Sequence, residues 1–414
     1  QLTTNFRTAM VGYSKLFVAL WALLVSLSRS RAGGGHLKST TFLSEKFQLS
    51  PGLVINKYYF DVKFPKGHNA VKSFNGEVVD ENGRSVPLYD VYLHHWGVAK
   101  YFQRKGFNVS LSNVMNALKN KDVIFSGNSG LCQTDILSQY WGLGSETRKT
   151  ATYIPDPYGI ETGNSLSIPA GYEEKWMLNI HAIDTRGVVD TVGCFECRCD
   201  LYNVSTLPNG KPLPSGYKGG LSCCDDNYRC RQREGYKGFE RSLYLQYTVK
   251  WVDWDTSVLP VKIFILDVTD SGQRSTDHNV GCQIEYQVPA CNHYRRKAGS
   301  CIVNNRTTIT MPTGGYLIYG VGHQNFGGRG ITLTRQDGRV LCNSMPIYGQ
   351  GKEAGNENGY VVGMSSCYPK PGAAKIMDKE ALVLESRYSN ARHHTGIMGF
   401  FYILVADHLP SEQH

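Results

Sequence analysis

Three histidines in this sequence have the side-chain chemistry of a metal site. His94 and His95 are adjacent within YDVYLHHWGV, and His181 lies in a second apolar segment, KWMLNIHAID. Imidazole suits copper and zinc, and three protein ligands leave one coordination position open. Because neighbouring residues of a regular strand point to opposite faces, two adjacent ligands require a bend. Metal–nitrogen bonds of about 2.0 Å would bring the three donor nitrogens to roughly 3–4 Å from one another.

A second group of candidate ligands lies in the C-terminal half. His323 and Asn325 are two residues apart in YGVGHQNFGGRG, a spacing that places both on one face of a strand. His394 and Met398 also share a face in ARHHTGIMGFFYIL, and the thioether of a methionine favours Cu(I) over zinc. Spacing alone leaves a plainer interpretation open for both groups: histidines hydrogen-bonded in the core or in a loop, and Met398 as a core residue.

The twelve cysteines favour disulfides and an oxidising compartment. Six of them fall within residues 194–230, a segment with too few large apolar residues to form its own core. Three local disulfides are the favoured interpretation, a metal site is the alternative, and six cysteines allow 15 pairings. Cys342 and Cys367 are expected to pair, and Cys282, Cys291 and Cys301 are close enough to cross-link locally. The cysteines of the segment are Cys194, Cys197, Cys199, Cys223, Cys224 and Cys230.

The elements that would position these residues are β-strands. Apolar residues alternate with polar ones from Leu243 to Trp251, which is the period of a half-buried strand. Asn-Gly and Asp-Gly turn signals separate the strands, and only residues 109–120 favour a helix. Similar strand patterns cover residues 53–64, 88–97, 174–184, 260–268, 315–325, 330–335, 380–387 and 397–405. The sequence therefore predicts an all-β protein of two packed jelly-roll-like β-sandwich domains with a disulfide-rich insertion.

The proposed division assigns residues 1–35 to a signal peptide and leader, 40–255 to the first sandwich and 256–408 to the second. The apolar run at 16–27 follows basic residues and precedes small ones, as in secretory signals, and is too short to span a bilayer comfortably. Met10 is a plausible start, with residues 1–9 outside the native chain; a short membrane anchor is the alternative.

Secretion also agrees with three glycosylation sequons, at Asn108, Asn203 and Asn305. The net charge is +9, but four basic residues lie in the first 32 positions, where there is no acid. The remainder carries about +5 without a long basic block, which argues against nucleic acid as a partner. No stable membrane insertion is expected beyond the leader, since no later stretch is long and apolar enough.

Five segments resemble the plant stress-up-regulated nodulin family. The resemblance covers nearly everything after residue 35, and that family's biochemistry is poorly defined. The segments are YDVYLHHWGV at 90–99, WGLGSETRKT at 141–150, the cysteine cluster at 194–230, GQGKEAGNENGYVVGMSSCYP at 349–369 and RHHTGIMGFFYIL at 392–404.

The order of these motifs is also similar, more remotely, to the type II copper, ascorbate-dependent monooxygenases that hydroxylate peptidylglycine or dopamine. That resemblance implies two domains with one copper each. The first copper would be held by His94, His95 and His181. The second would be held by His323 and Met398, with Asn325 standing where that family has a histidine.

The same resemblance carries three further expectations for the second site. Tyr402 stands where the monooxygenases have a tyrosine that contacts substrate. Val321 replaces an arginine that binds a substrate carboxylate in the peptide enzyme, so peptide chemistry is not implied. His394 is a candidate replacement for the missing ligand.

The leading functional hypothesis is a secreted copper-dependent oxidoreductase, monooxygenase-like, that acts on a small organic substrate with ascorbate as the reductant. Two alternatives remain open at this stage. One is a non-catalytic secreted stress protein that binds a cell-wall component, for which 25 tyrosines would suit sugar stacking. The other is a protein that sequesters a single copper without turnover.

Overall fold

The computed structural model describes residues 35–127, 140–207, 209–272, 282–292, 294 and 301–410. Strands dominate throughout these residues, which confirms the predicted all-β class. They are β1 (Lys38–Leu43), β2 (Phe47–Leu49), β3 (Val54–Tyr59), β4 (Asn69–Asp80), β5 (Val91–Arg104), β6 (Val123–Phe125), β7 (Tyr140–Trp141), β8 (Tyr158–Thr162), β9 (Tyr172–Asp184), β10 (Arg241–Asp253), β11 (Leu259–Asp267), β12 (Glu285–Val288), β13 (Ile302–Thr310), β14 (Gly315–Gln324), β15 (Gly328–Arg335), β16 (Val340–Ser344), β17 (Pro346–Tyr348), β18 (Val361–Met364), β19 (Lys375–Ile376), β20 (Ala381–Ser389) and β21 (His394–Ala406).

Helices are short in the described part of the chain. α1 (Val114–Lys119) lies inside the predicted helical stretch, whereas α2 (Thr191–Phe195) and α3 (Cys199–Tyr202) were not predicted. Two 3₁₀ turns cover Ser145–Lys149 and Leu221–Cys223. Among the described residues, no helix has the length and hydropathy needed to cross a membrane.

Most strands belong to three sheets. The largest has the order β1-β10-β4-β8-β11-β21-β14-β19, with β2 beside β10 and β12 beside β21. A five-stranded sheet has the order β3-β9-β5-β6 with β7 on β5, and a four-stranded sheet has the order β13-β20-β15-β16. Buried apolar side chains from all three sheets form one continuous core, a sandwich-like arrangement.

The alternation predicted for β10 holds up to a bulge. Leu243, Leu245, Tyr247 and Val249 are buried, as predicted. The register against β4 then shifts between Lys250 and Trp251, because β4 has one extra residue there, Lys72. Beyond this bulge Val252 is buried and Trp251 is half-buried.

The two predicted sandwich domains share a sheet. β8 pairs with β11 in parallel through Tyr158 and Leu259, which joins the strands on either side of the proposed boundary near residue 255. Residues Leu37–His414 form one compact unit by their internal contacts. The division into domains therefore stays a prediction, and residues 1–34, with the leader, lie outside the described part.

Disulfides order the cysteine-rich segment, as predicted. Its six cysteines pair as Cys194–Cys230, Cys197–Cys224 and Cys199–Cys223, so none is a free thiolate for a metal. The expected Cys342–Cys367 bond also forms. Of the three cysteines expected to cross-link locally, Cys291 and Cys301 form a disulfide with each other. Cys282 is disulfide-bonded as well. Cys132 lies outside the described residues.

The three sequons differ in exposure. Asn108 and Asn203 are exposed, whereas Asn305 is half-buried within β13. Their modification stays a prediction.

Candidate metal centre

A β-bulge brings the adjacent histidines to one place. In the antiparallel pair of β5 and β9, Leu93 lies opposite Ala182 and His95 lies opposite His181, so His94 is the extra residue of the bulge. A bulge bends its strand and re-aims a side chain that would otherwise point to the opposite face. This is the bend that two adjacent histidine ligands require.

The three imidazoles converge in the structure. One ring nitrogen from each of His94, His95 and His181 lies within 4.8 Å of the other two, a wider spacing than the expected 3–4 Å. The ring centroids of His94 and His95 are 4.6 and 4.9 Å from that of His181. His94 and His181 are fully buried, and His95 is half-buried. The sequence-predicted first group is therefore one spatial cluster, called here the three-histidine cluster.

Burial keeps these imidazoles neutral. It lowers the pKa of His94, His95 and His181 well below the usual 6.5, because a charged ring loses its hydration there, and the neighbouring histidines lower each pKa further. Neutral imidazole is the form that binds a metal. Before any ion enters, the cluster already has the protonation state of a ligand set.

Two buried ring nitrogens of the cluster have no hydrogen-bond partner among the described residues. The Nε2–H of His181 donates to the carbonyl oxygen of Cys224 at 2.9 Å, so its Nδ1 carries the lone pair. Among the described residues, the buried Nδ1 atoms of both His181 and His94 have no hydrogen-bond partner. Such orphaned acceptors are costly in a folded protein and are expected where an ion binds.

Neighbouring residues fix the remaining ring orientations. Asn179 hydrogen-bonds to His95 through its side chain, and the Asn179 amide nitrogen donates to Asn56 Oδ1 at 3.0 Å and to the Lys57 carbonyl at 3.1 Å. Tyr92 packs its ring edge against His94 at 6.1 Å. Orienting contacts of this kind are what metal-binding histidines need.

His323 lies beside this cluster but has a partner of its own. Its Nδ1 is 2.5 Å from Oε1 of Glu146, and both side chains are buried. An added Cβ at Gly144 would lie 2.5 Å from the His94 carbonyl oxygen and 3.1 Å from Cε1 of His323. Glycine is therefore required where the His94 backbone and the His323 ring come close together.

Asn325 is committed to the backbone of β21. Its Oδ1 accepts a hydrogen bond from the Met398 amide at 2.7 Å, and Tyr388 bridges the two segments through its hydroxyl. This oxygen is the atom that would replace the second histidine of the remote resemblance. Its use in a structural bond leaves the second ligand group with His323 and Met398.

The structure does not bring His394 to that group. Its Nδ1 is 2.6 Å from Oε1 of Glu196, and its ring borders a separate cavity together with Phe326 and Arg392. Met398, four residues along the same strand, lines a different cavity with His323. His394 and Met398 thus line different cavities, and His394 as a replacement ligand stays a prediction.

A cavity of about 230 Å³ adjoins the three-histidine cluster and is called here the central cavity. His95 lies in one wall. His323 on β14 and the alternate residues Met398, Phe400 and Tyr402 on β21 form the opposite wall. Tyr402 is thus placed where a bound molecule would touch it, and Val321 is paired with it across the strands.

Several residues that support the site were not predicted. Glu146 and Glu196 belong to segments carrying the family resemblance, but no spacing rule connects them to His323 and His394. Cys224 contacts His181 through its main-chain carbonyl, so the type of side chain at position 224 does not reveal this contact in the sequence. Only Asn179, two residues before His181 on the same strand face, had a usable signal.

Fold and site together define a disulfide-bonded, all-β protein with a buried cluster of three histidines. The chain belongs to the family described as Stress up-regulated Nod 19, whose match spans residues 35–408. This confirms the nodulin resemblance seen in the sequence. A search of curated proteins gives no match.

The solved structures that match this chain have low sequence identity and low TM-scores. The VP2 subviral particle of infectious bursal disease virus is 11% identical, with 90% of this chain and 72% of that chain covered and a TM-score of 0.18. The T=1 Penaeus vannamei nodavirus is 12% identical over 91% and 99% of the two chains, with a TM-score of 0.16. The coconut allergen cocosin is 8% identical over 92% and 80%, with a TM-score of 0.13. Scores this low carry no argument about fold or function.

Proposed function

We propose that the protein is a secreted copper oxidoreductase whose metal is held by His94, His95 and His181 and whose substrate is a small organic molecule in the central cavity. The observation that carries the proposal is the pair of buried, unpartnered Nδ1 atoms on His94 and His181, found among the described residues. Three imidazoles suit copper or zinc. The choice of copper rests on the remote motif resemblance and on the nearby thioether of Met398.

The donor set fits a metal that keeps an open side. His95 is the cluster member that also lines the central cavity, so a molecule in the cavity would lie next to the ion. Three protein ligands leave a position free for a reactant. Copper, when bound, would supply one-electron redox chemistry toward dioxygen, with ascorbate as the proposed reductant.

The protein's own groups would hold and shield the reactants. The Cys224 carbonyl keeps the proton on Nε2 of His181, which reserves Nδ1 for the ion. Glu146 would fix the ring of His323, which lines the cavity, through its Nδ1. The apolar wall of Met398, Phe400 and Tyr402 excludes water from the reacting molecule. Disulfides in the described chain agree with an oxidising, extracellular location.

A second candidate function is binding of one copper without turnover. The commitment of Asn325 to the Met398 amide favours it, because a second metal set of His323 and Met398 would then lack a strong third donor. Both candidates share the three-histidine cluster. They differ in whether oxygen is consumed.

Copper stoichiometry and oxygen uptake test the proposal on the full secreted chain. We expect one or more coppers per chain, and ascorbate-dependent oxygen uptake that rises with an added substrate. His181→Ala should lose copper from the cluster, whereas His408→Ala, at an exposed position, should not. Copper without oxygen uptake would favour the second candidate. A folded protein that takes up no copper would overturn both.

A further inference from the structure

The central cavity has the composition of a site for uncharged molecules. Among the described residues that line it, none is a lysine, arginine, aspartate or glutamate. The apolar part of the lining consists of aromatic rings and thioethers that come from both walls of the cavity. They are Trp96, Met177, Met398, Phe400 and Tyr402.

The polar groups in the lining are largely committed to the protein. Asn56 Oδ1 accepts from Asn179, and the Asn179 amide also donates to a backbone carbonyl. Nδ1 of His323 is hydrogen-bonded to Oε1 of Glu146, and the other oxygen of this carboxylate accepts from the Gly144 amide. In the copper-free protein an ionic group in the cavity would therefore lack a counter-charge, and an unpaired charge in apolar surroundings is strongly disfavoured.

The size of the cavity limits what fits. Its volume is about 230 Å³. A dry apolar cavity of about 150 Å³ holds one benzene molecule. The central cavity thus has room for one aromatic ring with a short substituent, and not for a peptide or an oligosaccharide.

One lining residue has a strained backbone. Ile284 has a φ of +67°, a conformation that a β-branched side chain rarely adopts. Ile284 is one of the residues that line the central cavity. Strain of this kind persists where the surrounding structure imposes it, and it is concentrated at binding sites.

We infer that the central cavity selects a neutral, mainly apolar molecule the size of a single substituted aromatic ring and rejects carboxylates and ammonium ions of the same size. Any reaction of the bound molecule rests on the proposed function, since the molecule would lie beside His95 and the ion. Binding itself requires only the cavity. The two can therefore be tested separately.

Three probes matched in size provide the test: benzyl alcohol, benzoate and benzylamine, titrated by NMR at neutral pH into the copper-free full chain. Benzyl alcohol should bind at least about 10-fold more tightly than either charged probe. Equal or tighter binding of benzoate or benzylamine would overturn the inference, as would no binding of any probe to the folded protein. Probe selectivity without copper uptake would overturn the proposed function alone.

A charge placed in the wall sharpens the test. Met177 is half-buried in the lining, so Met177→Lys can keep its ammonium near water while adding a cation to the cavity. This variant should improve benzoate binding and weaken benzylamine binding. Met115→Lys, at an exposed position on α1, is the matched control and should leave the order of the three probes unchanged. An unchanged order in Met177→Lys would show that the probes bind elsewhere.

Discussion

The two walls of the central cavity both contain histidine, yet they use it in opposite ways. On the β5–β9 side, the Nδ1 atoms of His94 and His181 are buried without a hydrogen-bond partner among the described residues. On the β14–β21 side, Nδ1 of His323 is held by Glu146, and Asn325 is bonded to the Met398 amide. On the first side two histidine nitrogens have no hydrogen-bond partner. On the second side the His323 nitrogen and the Asn325 oxygen are both used in hydrogen bonds within the protein.

This contrast separates a ligand set from a supporting wall. A buried acceptor without a partner destabilises the fold unless something else binds it. A buried histidine–glutamate pair is stable without an ion, so its presence indicates no metal by itself. We therefore assign the metal to the three-histidine cluster, and we assign positioning of the bound molecule to the second wall.

The largest expected effect is on copper affinity, in a matched pair of variants. His94→Gln removes one of three ligands and should weaken copper binding by more than the ~10–100-fold typical of losing an orienting partner. His323→Gln keeps a donor for Glu146 and should change copper affinity by less than about 3-fold. Competition titration against a chromophoric Cu(I) chelator measures both. Equal losses would mean that His323 shares the same ion, and the contrast between the walls would fail.

The next effect concerns the disulfide next to His181. Replacing both cysteines of Cys197–Cys224 by serine should lower copper affinity about 10-fold, because the Cys224 carbonyl would no longer hold His181 in place. Replacing Cys342–Cys367 in the same way is the control, since the bonds span 27 and 25 residues and should stabilise the fold similarly. Both variants are expected to lose roughly 2–5 kcal/mol of unfolding free energy.

Chelator competition combined with thermal unfolding separates the two results. A loss of copper affinity in both disulfide variants would indicate general destabilisation instead of a local contact. An unchanged affinity in the Cys197–Cys224 variant would show that the carbonyl does not position His181.

A third variant asks whether the second wall is a metal site that lacks one donor. Asn325→His restores the residue of the remote resemblance but removes the acceptor for the Met398 amide. We expect copper per chain to stay the same and the free energy of unfolding to fall by about 1–3 kcal/mol, the cost of an unsatisfied buried donor. Asn343→His, at an exposed strand position, serves as the control. A second copper bound by Asn325→His would contradict our assignment of this wall.

The sequence predicted those parts of the site that depend on residue type and strand period. The three histidines lie on β5 and β9 because both segments are long, apolar strands, and the adjacent pair itself required a bend. The position of the bend, at His94, depends on pairing with β9 across about 90 residues of chain, which no local pattern contains. Strand pairing was not predicted for the same reason, and several strands, including the long β4 and β13, were missed.

The unpredicted parts of the site are tertiary contacts. Glu146 meets His323 from a distance of 177 residues, and Glu196 meets His394 from 198 residues. A buried carboxylate is normally unfavourable, so sequence reasoning assigns such residues to the surface until a partner is known. The disulfides were easier, because a segment without a core of its own must be held covalently.

The smallest expected effect is the contribution of one buried carboxyl group, on the strand beside β21, to the pH dependence of stability. Burial raises the pKa of Asp267, which lies opposite Phe400 in the β11–β21 pair, from 3.8 to about 6. The folded protein then holds a proton that the unfolded chain has released, so the contribution of Asp267 to stability falls as pH rises between these values, by about 1 kcal/mol from pH 5 to pH 7. The three buried histidines contribute in the opposite direction, because the unfolded chain binds protons at His94, His95 and His181 in this range and the folded protein does not. Asp267→Asn removes this contribution, so the unfolding free energy of the wild type minus that of the variant should fall by about 1 kcal/mol from pH 5 to pH 7 in thermal unfolding. The same difference for Asp337→Asn, an exposed control, should not change over this range. Copper stoichiometry of Asp267→Asn should equal that of the wild type, because the titrating group stabilises the supporting wall; a loss of copper would tie the second wall to the ion.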